Sequence, residues 1–308
     1  MRDRDSIPLV ALGATALSTL RANERGRVLA VFRRSFYVAF GNDVVCIGPL
    51  ELGRGPLAAL YARHATFTSP GHGLDVDAEV VRAGESLAVG PRWRFDFATV
   101  DAWRPPAAPA HSLTTLRAGL QSLGAAARRR LPGGLGALLP ALCAGARPLL
   151  SDSEHPLVRA ATPAIGALCD WLKEALGGAS SPPPAVDALI GLGAGLTPSG
   201  DDFLGGVMTA LHHLGRADLA RALAKPVLAC AVDGTSVISG AYLRCAAAGE
   251  GFEVLFDALA CVLAGGGGRL DARLDALAEV GHTSGWDCLA GSIAVCGALA
   301  HAHANDMA

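Results

Sequence analysis

Aromatic and charged residues are scarce in this sequence of 308 residues. Aromatic side chains make up 5% and charged ones 18%, whereas hydrophobic residues reach 51%. This composition excludes an intrinsically disordered chain, because disorder requires few apolar residues and much charge. Ample apolar material is left for packed cores, and the length suggests two domains.

Long apolar runs are also missing, although the mean hydropathy is +0.36. Polar residues, Gly or Pro interrupt every stretch before it reaches the roughly 20 apolar residues that a membrane-spanning helix needs. We attribute the hydropathy to packed helices or a buried subunit interface, and expect an oligomer rather than a membrane protein. The apolar stretch 9–20 lacks a positively charged start, because Asp3 and Asp5 offset Arg2 and Arg4. A secretory signal is therefore not expected, and the predicted location is the cytoplasm.

The eight cysteines include no Cys-x-x-Cys pair. Even cysteine counts indicate disulfides mainly in short secreted chains, so we expect buried free thiols. No array of Cys, His and Asp has zinc-ligand spacing. The net charge of −2 gives no general attraction to nucleic acid, and the basic run at 128–130 is typical of a solvated helix end. We therefore expect neither a cofactor nor a nucleic-acid partner.

Short β-branched and aromatic runs dominate the first third of the chain. Trp93, Phe95 and Phe97 alternate with polar residues, the period of a half-buried strand. A helix is predicted at 8–22, followed by strands at 27–32, 35–40, 44–47, 76–81, 85–89 and 93–97. Residues 1–104 are thus predicted to form a mostly antiparallel β domain, either a small barrel or a sandwich.

The period becomes helical beyond Pro105 and Pro106, which mark a domain boundary. Helices are predicted at 112–129, 134–144, 156–176, 201–214, 217–230, 237–248, 252–264, 269–280 and 287–303. The last helix carries no charge from Cys288 to Ala300, so it should be buried on all sides. The fold class is therefore predicted as α+β, with residues 105–308 forming the larger, helical domain.

A glycine-rich loop that runs into a helix is the strongest functional signal. Residues 191–202 read Gly-Leu-Gly-Ala-Gly-Leu-Thr-Pro-Ser-Gly-Asp-Asp. Gly193 and Gly195 permit positive φ and a close approach of backbone to a ligand, and Thr197 and Ser199 are typical helix caps. The free N–H groups of such a helix start suit phosphate or carboxylate. The Gly-Lys-Ser/Thr ending of a nucleotide P-loop is missing.

Asp201 and Asp202 leave two interpretations of this helix start open. Ser199 and Asp202 have the spacing of a capping box, and acidic residues in a first turn are favourable without any ligand. Alternatively, the two carboxylates accept hydrogen bonds from a substrate amide or hold a divalent cation, for which their spacing gives no particular support. Gly200, a poor helix former, favours close approach to a ligand.

The pattern Ser-Gly-x-Asp-x-Leu-x-Gly occurs twice, at 199–206 and 284–291. Two such helix starts can converge on one anionic ligand, although similarity over eight positions also arises by chance. The candidate residues of the second copy are His282, Thr283, Ser284, Gly285 and Asp287. His282 suits a ligand or acid–base role as well as a solvated one.

A third group of hydroxyls precedes another predicted helix. Ser236 and Ser239 lie at its start, and Arg244 follows about one turn later. Arg244 is either a bidentate ligand for carboxylate or phosphate, or a surface arginine.

Together these motifs resemble the AllH family. They are the run at 191–204, Thr-Ser-Val-Ile-Ser-Gly at 235–240 and His-Thr-Ser-Gly-Trp-Asp at 282–287. The resemblance extends over most of the chain, including its β-rich start and the Gly55-Pro56 pair, with Ala194 where the family pattern suggests proline. The founding member is a subunit of oxamate carbamoyltransferase in anaerobic allantoin breakdown. The resemblance implies carbamoyl transfer between carbamoyl phosphate and oxamate, with oxalurate on the other side, and companion subunits.

Carbamoyl transfer requires phosphate recognition, donors for the carbonyl and orientation of a weak amide nucleophile. The catalytic candidates are Ser199, Asp201, Asp202 and His282. The candidates for binding a small anionic substrate are Gly193, Gly195, Thr197, Gly200, Ser236, Ser239, Arg244, Thr283, Ser284, Gly285 and Asp287. The alternatives are a non-catalytic subunit that senses an anion or nucleotide and, from the glycine loop alone, an acyl-CoA-linked or kinase-like phosphate enzyme.

Overall fold

The computed structural model describes residues 6–62, 65–68, 73–149 and 155–302. Two compact units divide the chain, Met1–Pro105 and Pro106–Ala308. The buried residues of one core lie between Leu9 and Phe97, and those of the other between Leu116 and Ala298. The first unit is mostly strand and the second is helical, which confirms the predicted α+β class.

Strands of the first unit come from short segments along its whole length. They are β1 (Ile7–Gly13), β2 (Arg25–Val31), β3 (Phe36–Phe40), β4 (Asp43–Pro49), β5 (Ala58–Tyr61), β6 (Glu79–Ala83), β7 (Ser86–Val89), β8 (Trp93–Asp96) and β9 (Ala102–Trp103). Helix α1 (Ala14–Ala22) follows β1, and a 3₁₀ turn spans Leu50–Leu52.

The sheet of the first unit closes into an eight-stranded barrel. Its strand order is β5-β4-β3-β2-β6-β7-β8-β1, β1 pairs back to β5, and β9 adds to the end of β1. Most neighbours are antiparallel; β4–β5, β1–β8 and β1–β9 are parallel. Aromatic side chains fill the interior, where the Phe36 and Phe67 ring centroids are 4.8 Å apart. Of the two predicted architectures, the barrel is the one observed.

The helix predicted at 8–22 is wrong in its first part, because Ile7–Gly13 is a strand and only Ala14–Ala22 is helical. Leucine and alanine favour a helix locally, but strand pairing of this segment with β5 and β8 outweighs that local preference. Gly13 ends the strand against the Gly55-Pro56 pair, since a Cβ on Gly13 would lie 2.1 Å from the Gly55 carbonyl oxygen.

Helices make up the second unit. They are α2 (Leu113–Arg130), α3 (Leu139–Cys143), α4 (Pro156–Leu176), α5 (Ser199–His213), α6 (Ala217–Gly234), α7 (Val237–Ala247), α8 (Glu253–Leu263), α9 (Leu270–Ala278) and α10 (Ser284–Ala302). A 3₁₀ helix spans Gly134–Leu138 before α3. Among these described helices, none is long and apolar enough to cross a membrane.

Helix α10 is the central element of the second unit. It contacts α2, α3, α4, α5 and α8. Its residues from Gly285 to Ala298 are all buried, which includes most of the uncharged run Cys288–Ala300 whose burial the sequence predicts. The basic run at 128–130 ends α2, and all eight cysteines are free thiols, five of them buried.

Candidate functional site

The two Ser-Gly-x-Asp helix starts lie against each other. Helix α5 begins at Ser199 and α10 at Ser284. Thr197 Oγ1, in the loop before α5, is 3.0 Å from Ser284 Oγ. The structure therefore brings together the two copies of the motif that the sequence predicts to converge.

Paired glycines let the two helices touch through their backbones. A Cβ on Gly206 would lie 2.0 Å from the Cys288 carbonyl oxygen, and one on Gly291 would lie 1.9 Å from that of Phe203. Gly206 and Gly291 are the last residues of the two motif copies, and Phe203 and Cys288 are also equivalent. The contact is thus reciprocal, with each copy presenting the same face to the other.

The serine of each copy bonds to the aspartate of the other. Ser199 hydrogen-bonds to the Asp287 carboxyl, and Ser284 to the Asp202 carboxyl. Of the two interpretations left open, the capping box of Ser199 and Asp202 is wrong, because Pro198 is the N-cap of α5 and no side chain caps this helix. Ser199 is already the first helical residue, and its hydroxyl is used across the helix pair instead.

Asp287 is fully buried, and both of its carboxyl oxygens accept hydrogen bonds from protein groups. Its Oδ1 accepts the Leu135 N–H at 2.6 Å, and its Oδ2 accepts the Thr283 hydroxyl at 2.8 Å. Burial nevertheless outweighs these donors and raises the pKa of Asp287 to about 6. Leu135 and the preceding Gly134 were not predicted as site residues. The Pro-Gly-Gly turn at 132–134 is their only sequence signal, and a Cβ on Gly134 would collide with the Asp287 carboxyl.

Asp202 is buried like Asp287 but is not fully paired. Its carboxyl hydrogen-bonds to Ser284 and Thr197. Its Oδ2 atom is buried and has no hydrogen-bond partner among the residues that the structure describes. Burial raises the pKa of Asp202 well above its ordinary value, and the nearby carboxyls of Asp287 and Asp201 act in the same direction.

Asp201 fastens the glycine-rich loop to its surroundings. Its Oδ1 accepts the Gly191 N–H at 2.9 Å. Its Oδ2 accepts the Ser239 hydroxyl at 2.7 Å and the Thr235 hydroxyl as well. Both oxygens of this buried side chain are therefore occupied by protein groups, and Asp201 positions the loop against α7. Thr235 belongs to the motif at 235–240, but the sequence does not predict it as a site residue.

Ser236 links the same loop to the start of α7. Its hydroxyl donates to the Leu196 carbonyl oxygen at 2.6 Å and accepts the Ser239 N–H at 3.0 Å. Ser236 is thus the N-cap of α7 and a second anchor of the loop. The three motifs singled out in the sequence all meet around one segment, residues 191–198.

The exposed part of the loop presents backbone N–H groups. Gly193 and Gly195 have φ of +121° and +100°, which favours glycine at both positions. Residues 193–196 are exposed, and none of the described residues accepts a hydrogen bond from their N–H groups. Such a run of free N–H groups is a suitable anion-binding surface.

Gly200 and Gly285 serve close packing in this structure. The Gly200 N–H donates to Leu192 O at 2.9 Å, and the Gly285 N–H donates to Val280 O at 3.2 Å. A Cβ on Gly200 would lie 2.0 Å from the Leu189 carbonyl oxygen, and one on Gly285 would collide in the same way with that of Leu277. Their N–H groups are therefore already used inside the protein.

His282 and Arg244 lie outside the buried cluster. His282 is exposed in the turn before α10, and Arg244 is exposed on α7. Across the described ranges, no group of three or more His, Cys, Asp or Glu side chains has the geometry to hold a metal ion. Hydroxyl and backbone donors, rather than cations, surround the three buried aspartates.

The arrangement combines two chemical capabilities. Buried carboxyls with raised pKa can hold protons close to neutral pH, as acid–base groups do in many sites. The neighbouring loop offers N–H groups to an anion. A small ligand with both an anionic and a neutral polar end suits this combination.

One family model matches part of the chain. Residues 189–296 match the family model described as oxamate carbamoyltransferase subunit AllH. The matched segment contains both Ser-Gly-x-Asp helix starts and the start of α7, and it confirms the resemblance inferred from these motifs. No solved structure matches the chain.

Proposed function

We propose that this chain, which matches the AllH family through its paired helix starts, is a subunit of a carbamoyltransferase. The substrates are carbamoyl phosphate and oxamate, with oxalurate on the other side, or a similar small carboxylate amide. The reaction belongs to nitrogen catabolism of the purine and allantoin type. Companion subunits complete the enzyme, which is an oligomer.

The observation that carries this proposal is the coincidence of the family match with the crossed serine–aspartate pairs. Oxamate and carbamoyl phosphate each have an anionic end and an amide end. Exposed N–H groups at 193–196 suit the anionic end, and the polar cluster at the helix starts suits the amide. One site can therefore recognise both ends of either substrate.

The transfer itself exchanges one bond at the carbamoyl carbon. The oxamate nitrogen attacks this carbon, a C–N bond forms, and the C–O bond to phosphate breaks with its electron pair leaving on phosphate. The nitrogen loses one proton, and we assign the exposed imidazole of His282, in the turn before α10, to take it. Ser199 and Ser284 orient the reacting amides through their bonds to the two buried carboxyls.

An assay of phosphate release tests the proposal. Carbamoyl phosphate and oxamate are supplied to the purified chain alone and then with its companion subunits. We expect release that depends on oxamate in at least the second mixture, and we expect Ser199→Ala to lower it by about 100-fold.

Ser292→Ala is the matched control for this variant. It also removes a buried hydroxyl, one that donates to Gly206 O at 3.0 Å on the same helix pair but away from the helix starts. We expect a rate close to that of the wild type. Oxamate-dependent release that Ser199→Ala leaves unchanged would contradict the site assignment.

A non-catalytic anion-sensing subunit is the second candidate. It is favoured by the fact that both oxygens of Asp201 and Asp287 are occupied by protein donors. Carboxyls held in this way can support a loop without reacting. Absence of turnover in both mixtures, together with tight binding of an anion, would favour this candidate over the enzyme.

A further inference from the structure

The two halves of the helix pair differ in how their buried aspartates are hydrogen-bonded. Asp287 and Asp202 occupy the same motif position, and the serine of the other half hydrogen-bonds to each of them. Both oxygens of Asp287 have further donors, from Leu135 and Thr283. Asp202 Oδ2 has no donor among the described residues, although residue Asp202 is only 6% exposed.

The sequence explains how this difference arises. Thr283 immediately precedes Ser284 and supplies the hydroxyl that fills Asp287 Oδ2. The equivalent residue before Ser199 is Pro198, which has neither a hydroxyl nor an N–H to donate. Thr197, one residue further back, contacts the Asp202 carboxyl.

An unpartnered polar atom in a protein interior is unusual. Buried polar atoms in native proteins are nearly all hydrogen-bonded, and leaving one without a partner costs stability. The reciprocal copy shows that this fold can fill the position with one threonine. The unfilled position next to a loop with free N–H groups points to a partner that comes from outside the chain.

We propose that Asp202 Oδ2 is the atom of this site that contacts the ligand, and that it bonds to the amide group of a small anion. The anionic end of the ligand then meets the N–H groups at 193–196. Oδ2 is buried in this structure, so the ligand reaches it when neighbouring side chains move. The choice of ligand rests on the proposed function; the assignment of the atom does not.

A protonated carboxyl explains how an anion is accepted beside Asp202. Burial raises the pKa of Asp202. A proton on Oδ2, the oxygen without a partner among the described residues, can be donated to the carbonyl oxygen of the ligand amide. A neutral carboxyl does not repel the carboxylate or phosphate of the ligand, whereas an ionised one would.

The test is calorimetric binding of two matched probes to the full chain. Oxamate carries one amide and one carboxylate, and oxalate has a second carboxylate in place of the amide. We expect the wild type to bind oxamate more tightly than oxalate. Asp202→Ala should weaken oxamate binding by about tenfold or more, the loss expected for one hydrogen bond, and leave oxalate binding nearly unchanged. Asp170→Asn, an exposed acid paired with Arg147, is the control and should bind both probes like the wild type.

Asp202→Asn keeps the inference testable if the alanine variant does not fold. Asparagine retains the shape and an N–H donor that does not titrate. Oxamate affinity of the wild type should fall as the pH rises through the folded pKa of Asp202, and this dependence should be missing in Asp202→Asn. The other titratable groups around this carboxyl, Asp201, Asp287 and Cys288, are the same in both proteins.

Three results would overturn the inference. They are a wild type that does not prefer oxamate to oxalate, an alanine variant that folds and binds oxamate like the wild type, and an asparagine variant with the wild-type pH dependence. Failure of the proposed function looks different. In that case oxamate binds and depends on Asp202, but no mixture of subunits transfers a carbamoyl group.

Discussion

Asp202 and Asp287 acquire their properties from burial without a cationic partner. Ionised carboxylates lose hydration when buried, and only hydroxyl and backbone donors compensate for the loss here. The pKa of each carboxyl therefore rises rather than falls. At neutral pH such a carboxyl either is ionised, which destabilises the fold, or keeps its proton.

Replacement of Asp287 by asparagine should change how stability depends on pH. The pKa of Asp287 is 3.8 in the reference state and about 6 in the fold. Its contribution to stability is complete below pH 3.8 and is lost as the pH rises to about 6. The loss is about 3 kcal/mol, since one pKa unit corresponds to ~1.4 kcal/mol.

Urea unfolding between pH 4 and pH 7 measures this effect. The wild type should lose more of its free energy of unfolding over that range than Asp287→Asn does. Asp202 shifts in the same direction and is unchanged in the variant, so part of the dependence will remain. Identical pH profiles for the two proteins would show that Asp287 is not the titrating group.

Helices α5 and α10 approach so closely because their contact positions lack side chains. Gly206 and Gly291 each face a backbone carbonyl oxygen of the other helix. A backbone atom cannot rotate away as a side chain can, so an added methyl group must push the helices apart. The crossed serine–aspartate bonds at the helix starts depend on this separation.

Gly206→Ala should therefore destabilise the protein by about 3 kcal/mol or more, the upper range for an overpacked core. Gly205→Ala is a matched control in the same helix, because its Cβ would meet only Ala246 Cβ at 3.7 Å. That variant should differ from the wild type by less than about 1 kcal/mol, in the stabilising direction, since alanine is the better helix former.

Thermal and urea unfolding of the two variants checks this prediction. Gly291→Ala should behave like Gly206→Ala, because the contact is reciprocal. Equal stability of the Gly205 and Gly206 variants would mean that the helices are farther apart than the structure places them.

At the scale of the molecule, the described residues form two hydrophobic cores. The buried residues of the barrel core end at Phe97, and those of the helical core begin at Leu116. Each core is made from one continuous stretch of chain, on either side of the Pro105-Pro106 pair. A core that draws on no residues of the other unit should form without it.

Residues 106–308 expressed alone should therefore fold. We expect a helical circular dichroism spectrum and one cooperative thermal transition. A fragment starting at residue 124 is the control, because it lacks Leu116, Leu120 and Leu123 of the helical core and should not fold. An unfolded 106–308 fragment would show that the barrel is needed to stabilise the helices.

The sequence by itself determined the helical unit and the positions of its motifs. Helix α4 is predicted and observed at 156–176, and the burial of α10 follows from its missing charges. The repeated Ser-Gly-x-Asp pattern predicted that two helix starts meet. These features could be predicted because helical periodicity and helix starts depend on residues that are only a few positions apart in the sequence.

Only the tertiary structure decided the features that join distant segments. Strand β1 forms where the local pattern favours a helix, and β5, which closes the barrel, is too short to show an alternating pattern. Leu135 meets Asp287 across a large sequence separation, and the unfilled oxygen of Asp202 is visible only once its counterpart is seen to be filled. Such features depend on which segments the fold brings together, and a local sequence pattern does not show which distant segments it will contact.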